Sequence, residues 1–231
     1  MKEHAAEHAE NRQGSRRQAR TLERVNRAIA TAERLILERG PEEVSIPDIA
    51  EASGVPRASL YQFYANKHQL FAAITERQLA RVLEYMQTGA KALAGYHWRD
   101  TIPLLIRGVS GHFNQNPVAS ILILGWPVSR ATFQAQGVTV DNIGAAVHDM
   151  LLTTTPRIDL SRHPSATTVV VEISFACLKY GYYREGVISE AIQEQAVLAA
   201  TGYMEQLLPV ELRHPAASYV SPTALHAPAS A

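Results

Sequence analysis

The sequence contains a single cysteine, Cys177, among its 231 residues. One cysteine cannot form an internal disulfide or a cysteine-based metal cluster, which excludes both kinds of site. A chain without disulfides is typical of a reducing compartment, so we expect a cytoplasmic protein. Cys177 follows Phe175 and Ala176 in an apolar stretch, and we interpret it as a buried structural thiol.

Long apolar runs and enzymatic motifs are also missing. No stretch approaches the roughly 20 apolar residues that span a bilayer, and the first residues are polar, unlike a signal peptide. There is no glycine-rich phosphate loop and no nucleophile elbow. His4, Glu7 and His8 match an inverted zinc-protease pattern, but they lie in polar sequence without a core to hold them. We therefore expect no membrane partner, no catalytic residue, no metal, no cofactor and no enzymatic activity.

An excess of positive charge is absent, because 22 basic residues balance 22 acidic ones. A nucleic-acid-binding protein is usually basic, so the total argues mildly against that class. The distribution is uneven, and residues 11–27 hold one acid, Glu23, against six arginines: Arg12, Arg16, Arg17, Arg20, Arg24 and Arg27. A local cluster is what matters for phosphate contacts, since distant charges are screened. The alternative is a solvated tail.

What the sequence does have is apolar residues (46%) in helical spacing. Val25, Ile29, Ala32 and Ile36 form one face of a helix from about 20 to 39. Gly40 and Pro41 end this helix, because glycine accepts the left-handed conformation and proline cannot continue the ladder. Residues 1–18 have no apolar stripe and are predicted to be a mobile arm, and the proline-containing residues 209–231 a disordered tail.

A helix-turn-helix is predicted at residues 45–67. Ser45 is a natural N-cap for a helix from Ile46 to Ser53, Gly54 allows a tight turn, and a second short helix runs from Arg57 to Tyr64. Leu60 and Tyr64 share a face of the second helix, whereas Arg57 and Tyr61 share another that points to solvent. An exposed Arg and Tyr on a short helix are explained more easily by DNA than by packing.

The run Ile49-Ala50-Glu51-Ala52-Ser53-Gly54-Val55-Pro56-Arg57-Ala58-Ser59-Leu60-Tyr61-Gln62-Phe63-Tyr64-Ala65-Asn66-Lys67 resembles the tetracycline-repressor (TetR) family of one-component regulators. The similarity covers roughly residues 20–72. It implies that Arg57 reads a base, that Ser59, Tyr61 and Lys67 hold phosphates, and that Gln62 and Phe63 add base contacts. Ser45 is a further phosphate candidate, and the arm residues Arg16, Arg17 and Arg20 would reach the minor groove or backbone.

The rest of the chain is predicted to be helical. A long helix begins at Lys67 and runs to about Thr88, and further helices are predicted at 100–115, 117–125, 127–136, 138–153, 165–186 and 189–208. The fold is therefore all-α, with a three-helix DNA-binding domain at 19–66 and a larger helical effector-binding and dimerisation domain at 67–208. Thr167 to Val171 would pass as a strand, but no partner strand is visible. The resemblance implies a homodimer through the helices near 165–186 and 189–208.

A ligand pocket is predicted from aromatic and histidine residues in apolar surroundings: Tyr85, His112, Phe113, Trp126, Phe133, His148 and Tyr180. Each of them is also explained by ordinary core packing. Charges are sparse between residues 101 and 156, which favours a small, largely apolar effector. The predicted function is a repressor that such an effector releases from a palindromic DNA operator. The alternatives are an architectural DNA-binding protein without an effector, and a helical lipid-binding protein or enzyme that retains the DNA module.

Overall fold

The computed structural model describes residues 2–93, 95–125, 130–155, 157–216 and 219. Every regular element in these residues is helical, which confirms the all-α prediction. The ten α-helices of these residues are α1 Lys2–Arg39, α2 Ile46–Ser53, α3 Arg57–Phe63, α4 Lys67–Ala90, α5 Trp98–Gln115, α6 Pro117–Ala119, α7 Arg130–Thr154, α8 Ala166–Glu185, α9 Glu190–Leu207 and α10 Val210–Arg213. A 3₁₀ turn, Lys91–Leu93, follows α4, and a π-helix, Ser120–Gly125, follows α6. The chain divides into two compact units, Met1–Ile74 and Thr75–Ala231, so α4 contributes to both.

The first unit is built from α1, α2, α3 and the start of α4. Its core combines the apolar faces of these helices, as the spacing on α1 predicted. The fully or nearly fully buried residues are Ala28, Ile29, Ala32, Leu35, Ile36, Val44, Ile46, Ile49, Ala50, Val55, Leu60, Leu70, Phe71 and Ile74. This burial holds two short helices that would not be stable alone, since helices of seven or eight residues are marginal in water.

The second unit packs α5, α7, α8 and α9 around one apolar core. Trp98 and Phe113, on α5, are fully buried in it. Helices α8 and α9 approach closely at Gly181, where an added Cβ would lie 2.6 Å from side-chain carbons of Ile192. The β-branched run Thr167–Val171 is helical, because Val170 and Val171 are buried in this core and tertiary packing outweighs their strand propensity.

The first helix begins earlier than the sequence predicted. Residues 2–18, within the segment predicted to be a mobile arm, continue α1 as helical backbone. The segment is rich in Ala, Glu and Arg, which are good helix formers. A helix that is already nucleated grows one hydrogen bond per added residue, so such a segment extends it without the cost of a new nucleus.

Two helices predicted at 127–136 and 138–153 are one helix, α7. Gly137 does not break it, since this residue has no positive φ. A glycine inside a helix costs about 1 kcal/mol relative to alanine. Burial of Ile143, Val147 and Leu151 on the same helix outweighs that cost, at about 1.5–3 kcal/mol for each fully buried side chain. The helix predicted at 117–125 is the short α6 followed by the π-helix.

The predicted tail is ordered over its first part. Helix α10 lies within it, and residues 209–216 and 219 are anchored by hydrogen bonds to the start of α5. The Trp98 indole donates to the Leu212 carbonyl at 2.6 Å, and the Tyr219 hydroxyl donates to Asp100 at 2.7 Å. No local pattern predicts these contacts, because they join residues more than 110 positions apart. The remainder of 209–231 lies outside the described residues.

None of the helices in the described residues is both long and apolar enough to cross a membrane.

Candidate DNA-binding interface and apolar cavity

Helix α2 begins with a complete capping box. Ser45, in an extended conformation, accepts a hydrogen bond from the Asp48 backbone N–H at 3.4 Å, and its own N–H donates to the Asp48 carboxylate at 3.0 Å. The Ser45 hydroxyl also donates to that carboxylate. These bonds lower the pKa of Asp48, with the nearby positive charges of Arg39 and Arg57 adding to the effect. Such boxes fix where a helix starts, so the entry to α2 is rigidly defined.

The turn between α2 and α3 needs a glycine. Gly54 has φ +67°, in the left-handed region that other residues rarely adopt, and it terminates α2. Val55 is buried directly after it, and the Ser53 hydroxyl accepts from the Val55 N–H at 3.2 Å. Pro56 then starts α3, and its carbonyl accepts from the N–H groups of Ser59 and Leu60. The turn therefore sets the angle at which α3 leaves the core.

Helix α3 buries one residue and exposes most of the others. Leu60 is fully buried, whereas Arg57, Gln62, Tyr61 and Phe63 are exposed, the last two to 50% and 42%. Exposing large aromatic side chains forgoes the favourable free energy of burying them. Such exposure is typical of a surface that binds another molecule. Tyr64 is half-buried beside Phe63, and burial raises its pKa. The exposed face carries Arg57 at the N-terminus of this short helix and further hydrogen-bonding groups and aromatic edges in its last turn, an arrangement suited to reading the major groove.

The remaining predicted DNA residues take different positions. Ser59 is half-buried, and the Ser45 hydroxyl serves the capping box. Lys67 begins α4, and its ammonium donates to the carbonyls of Glu42 at 2.6 Å and Pro41 at 3.3 Å. Lys67 therefore ties α4 to the loop before α2. Arg20 is exposed on α1, while the side chains of Arg16 and Arg17 lie outside the described residues.

The second unit contains an apolar cavity of about 50 Å³ between α4, α5, α7 and α8. Its walls are almost wholly aliphatic, with one phenylalanine and one serine: Val82, Met86, Ile102, Leu105, Ile106, Val109, Ile143, Val147, Val170, Val171, Ser174, Phe175 and Leu178. The Ser174 hydroxyl donates to the Val170 carbonyl at 2.8 Å. A ligand in this cavity would therefore find hardly any hydrogen-bonding group along the walls.

A wider groove of about 540 Å³ lies between α7, the loop after it and the start of α8. Its residues include His148 and the carboxylates of Asp141, Asp149 and Asp159. Hydrogen bonds from Ser161 hold the pKa of Asp159 below its usual value. In the described part of the chain, no three His, Cys, Asp or Glu side chains come together as a metal site would require.

The comparisons with known proteins agree with the geometry of the first unit. The family model for bacterial regulatory proteins of the tetR family matches residues 28–74, which include α2, the turn, α3 and the start of α4. Residues 28–74 therefore carry the N-terminal region shared by bacterial regulatory proteins of the tetR family. A comparison with curated protein sequences gives no significant match.

Solved structures with TetR-family folds cover most of the chain. A TetR-family regulator from Streptomyces coelicolor is 21% identical, with a TM-score of 0.61 over 80% of this chain and 99% of that one. A TetR regulator from Rhodococcus sp. RHA1 is 17% identical, with a TM-score of 0.59 over 83% and 100%. RolR in complex with resorcinol is 15% identical, with a TM-score of 0.59 over 85% and 94%. At these identities the similarity shows a shared fold.

The structure brings together only some of the residues predicted for the TetR-type ligand pocket. Tyr85, His112 and Phe113 form one aromatic cluster, in which the His112 ring lies 5.3 Å from Tyr85 and 6.3 Å from Phe113. His148 belongs to the separate groove, and Tyr180 is 61% exposed. Trp126 and the Phe133 side chain lie outside the described residues.

The sequence reasoning overlooked the aliphatic walls of the cavity, although one signal for them exists. Ile102, Ile106, Val109 and Phe113 recur on α5 at helical spacing and mark its buried face. That pattern predicts a core-facing stripe and gives no indication that the core leaves a cavity there.

Proposed function

We propose that this protein is a homodimeric repressor of the TetR family, released from a palindromic operator by a small, largely apolar effector. The observation that carries the DNA part is the outward face of α3, where Arg57 and Tyr61 are exposed on a short helix held by a capped α2 and a glycine turn. Because its target is DNA, we expect the protein in the cytoplasm.

In this proposal Arg57 reads a guanine through its two-pronged guanidinium, and Gln62 and Phe63 contact neighbouring bases. Ser59 and Tyr61 hold phosphates on either side. Arg16, Arg17 and Arg20 add charge contacts along the backbone of the duplex. Phosphate contacts position the protein, while the base contacts supply its sequence preference.

The effector part rests on the apolar cavity in the second unit. Its lining excludes charged ligands, because an ion without a partner is costly to bury in apolar surroundings. RolR, whose fold is similar, has been solved in complex with resorcinol, and we expect a ligand of comparable size here. The cavity is smaller than the 300–1,000 Å³ that is usual for ligand pockets, so we expect side chains such as the flexible Met86 to move on binding.

The decisive experiment on DNA compares substitutions of Arg57 on an operator obtained by selecting genomic fragments with the purified protein. Arg57→Gln should weaken operator binding by about 1–3 kcal/mol, which corresponds to about 5- to 150-fold. Arg57→Lys keeps the positive charge and loses the bidentate guanidinium. It should therefore retain the salt dependence of operator affinity and lose discrimination at one base pair. Fluorescence anisotropy across a salt series and a set of single-base operator variants measures both effects.

The matched control is Arg34→Gln, which removes the same charge from an exposed position on α1, where Arg34 pairs with Glu38. It should leave base discrimination unchanged. If Arg57→Gln binds the selected operator as tightly as the unchanged protein does, α3 is not the reading helix and the proposal fails.

The effector is tested separately, by release of the bound operator across a panel of small neutral compounds. Concentration-dependent release would support ligand-responsive repression. If the protein binds DNA and no compound in a broad panel releases it, the architectural alternative is favoured. If it binds no DNA even at low salt, the retained-module alternative is favoured.

A further inference from the structure

We propose that His112 is a polar anchor of the effector site and that it selects small apolar ligands carrying one hydroxyl group. This inference rests on the proposed function, since it concerns the same effector site, and it adds the chemical class of the ligand and the residue that recognises it.

The position of His112 follows from the geometry of α5. Ile102, Ile106 and Val109 line the cavity at intervals of four and three residues, and the next step of this stripe reaches His112 and Phe113. The Phe113 ring packs edge-on against Phe175, a cavity-lining residue, with 6.0 Å between ring centroids. His112 is therefore the next position of this stripe beyond the residues that line the cavity. Its own side chain is not part of the lining, and we infer that the movement of Met86 on ligand binding extends the cavity to it.

Tyr85 covers His112 from the other side. It precedes the cavity-lining Met86 on α4, and its ring lies 5.3 Å from the imidazole. Gly108 allows this close approach, because a Cβ there would stand only 3.1 Å from the Tyr85 hydroxyl oxygen. The imidazole therefore contacts two aromatic rings, those of Tyr85 and Phe113.

The Nε2 atom of His112 is buried and has no hydrogen-bond partner within the described part of the protein. A buried polar atom left without a partner costs about 1–3 kcal/mol, so a ligand group that reaches it recovers much of that free energy. The lining hydroxyl of Ser174 already donates its proton to the Val170 carbonyl, so it can only accept a hydrogen bond from a ligand.

The chemistry of a neutral imidazole selects the ligand group. Burial, assisted by the charge of Arg81, lowers the pKa of His112, so the ring is neutral at pH 7. A neutral imidazole nitrogen either donates or accepts according to its tautomer, and a hydroxyl group can do both. A carboxylate would bring an unpaired charge into aliphatic surroundings, which is unfavourable. An uncharged, ring-sized molecule with one hydroxyl matches the cavity and its anchor.

Phenol and toluene test this directly, because they have nearly the same shape and differ in the hydroxyl. Titration calorimetry on the full chain without DNA should show phenol binding about tenfold more tightly than toluene, which corresponds to about 1.4 kcal/mol. His112→Leu should remove that preference and leave toluene affinity within about twofold. The control Ser174→Ala should keep the preference, while His112→Gln, which restores a hydrogen-bonding group, should recover part of it.

A measurement on the unchanged protein guards against a variant that fails to fold. Phenol should shift the Nε2 nitrogen resonance of His112, and toluene should not. Equal affinity for the two probes, a preference that survives in His112→Leu, or no binding of either probe would overturn the inference. These outcomes are separate from operator binding: a protein that releases its operator with another class of compound keeps the proposed function and loses only this inference.

Discussion

At the scale of single residues, Lys67 has two roles open to it, and they predict different measurements. The ammonium donates to the carbonyls of Pro41 and Glu42, which takes two of its three protons. Lys67→Met should therefore lower the free energy of unfolding by about 1–2 kcal/mol, since two hydrogen bonds from a charged group are lost at a partly exposed site. Urea unfolding measures this loss.

The same variant separates the structural role from the phosphate contact that the family resemblance implies. A direct contact would reduce the slope of log affinity against log salt by about 0.9. We expect the slope to stay unchanged, because the ammonium is held at the loop carbonyls. A reduced slope with unchanged stability would instead make Lys67 a phosphate ligand.

Single residues also show where sequence reasoning works. Ser45, Gly54 and Leu60 were predictable, because a cap, a turn glycine and an apolar position are set by neighbours within a few residues. Tyr180 and His148 were predicted to line the ligand pocket because they are aromatic residues in apolar sequence, and neither lines the apolar cavity. The apolar face of a helix can be read from the sequence. Which other helices pack against that face depends on contacts between distant segments and cannot be read in this way.

At the scale of elements, we expect the N-terminal extension of α1, residues 2–18, to contribute to DNA affinity and not to the stability of the fold. Among the described side chains, the buried part of α1 begins at Ala28, and we expect residues 2–18 to be dispensable for the core of the first unit. Deleting them should leave the unfolding transition unchanged within about 0.5 kcal/mol. It should lower the salt slope of DNA binding by about 0.9 for each of Arg16 and Arg17 that contacts a phosphate. An unchanged slope would show that the extension does not touch DNA.

The segment after α9 provides a second prediction at this scale. The Tyr219 hydroxyl donates to Asp100 and accepts from the His97 N–H at 2.8 Å, which joins the segment to the first turn of α5. Tyr219→Phe removes both bonds and should lower the free energy of unfolding by about 1–2 kcal/mol. Tyr180→Phe, on a side chain that is mostly exposed, is the control and should have no effect in thermal or urea unfolding. Equal stabilities for the two variants would mean that the segment is not anchored in solution.

The first and last residues of the helices were predicted with different accuracy. Helices α2, α3, α5, α8 and α9 were predicted within about two residues, because each is bounded by a cap, a glycine or a proline. The limits of α1 and α7 were missed, since a weak apolar stripe and an interior glycine look like boundaries when neighbours are unknown. The contacts of the C-terminal segment join distant positions and leave no periodic trace.

At the scale of the whole molecule, repression of a palindromic operator requires two copies of the chain, because one helix-turn-helix reads one half-site. Two adjacent helices of the second unit, α8 and α9, leave apolar side chains exposed. Tyr180 and Leu198 are 61% and 66% exposed, and Ala176, one turn before Tyr180, is also exposed. An apolar face on neighbouring helices is suited to burial against a second copy, as the family resemblance implied for these segments.

Leu198→Glu tests this proposed interface. Two-fold symmetry would place two new carboxylates at one interface, and removing each from water without a partner is unfavourable by several kcal/mol. We expect sedimentation to show a dimer for the unchanged protein and a monomer for the variant at the same concentration, with operator affinity reduced by about 100-fold or more, or about 2.7 kcal/mol. Val138→Glu, at an equally exposed apolar residue on a different helix, α7, adds the same charge and should change neither property. If Leu198→Glu remains a dimer, the copies meet elsewhere; if the unchanged protein is a monomer that still binds its operator tightly, pairing is not how it recognises DNA.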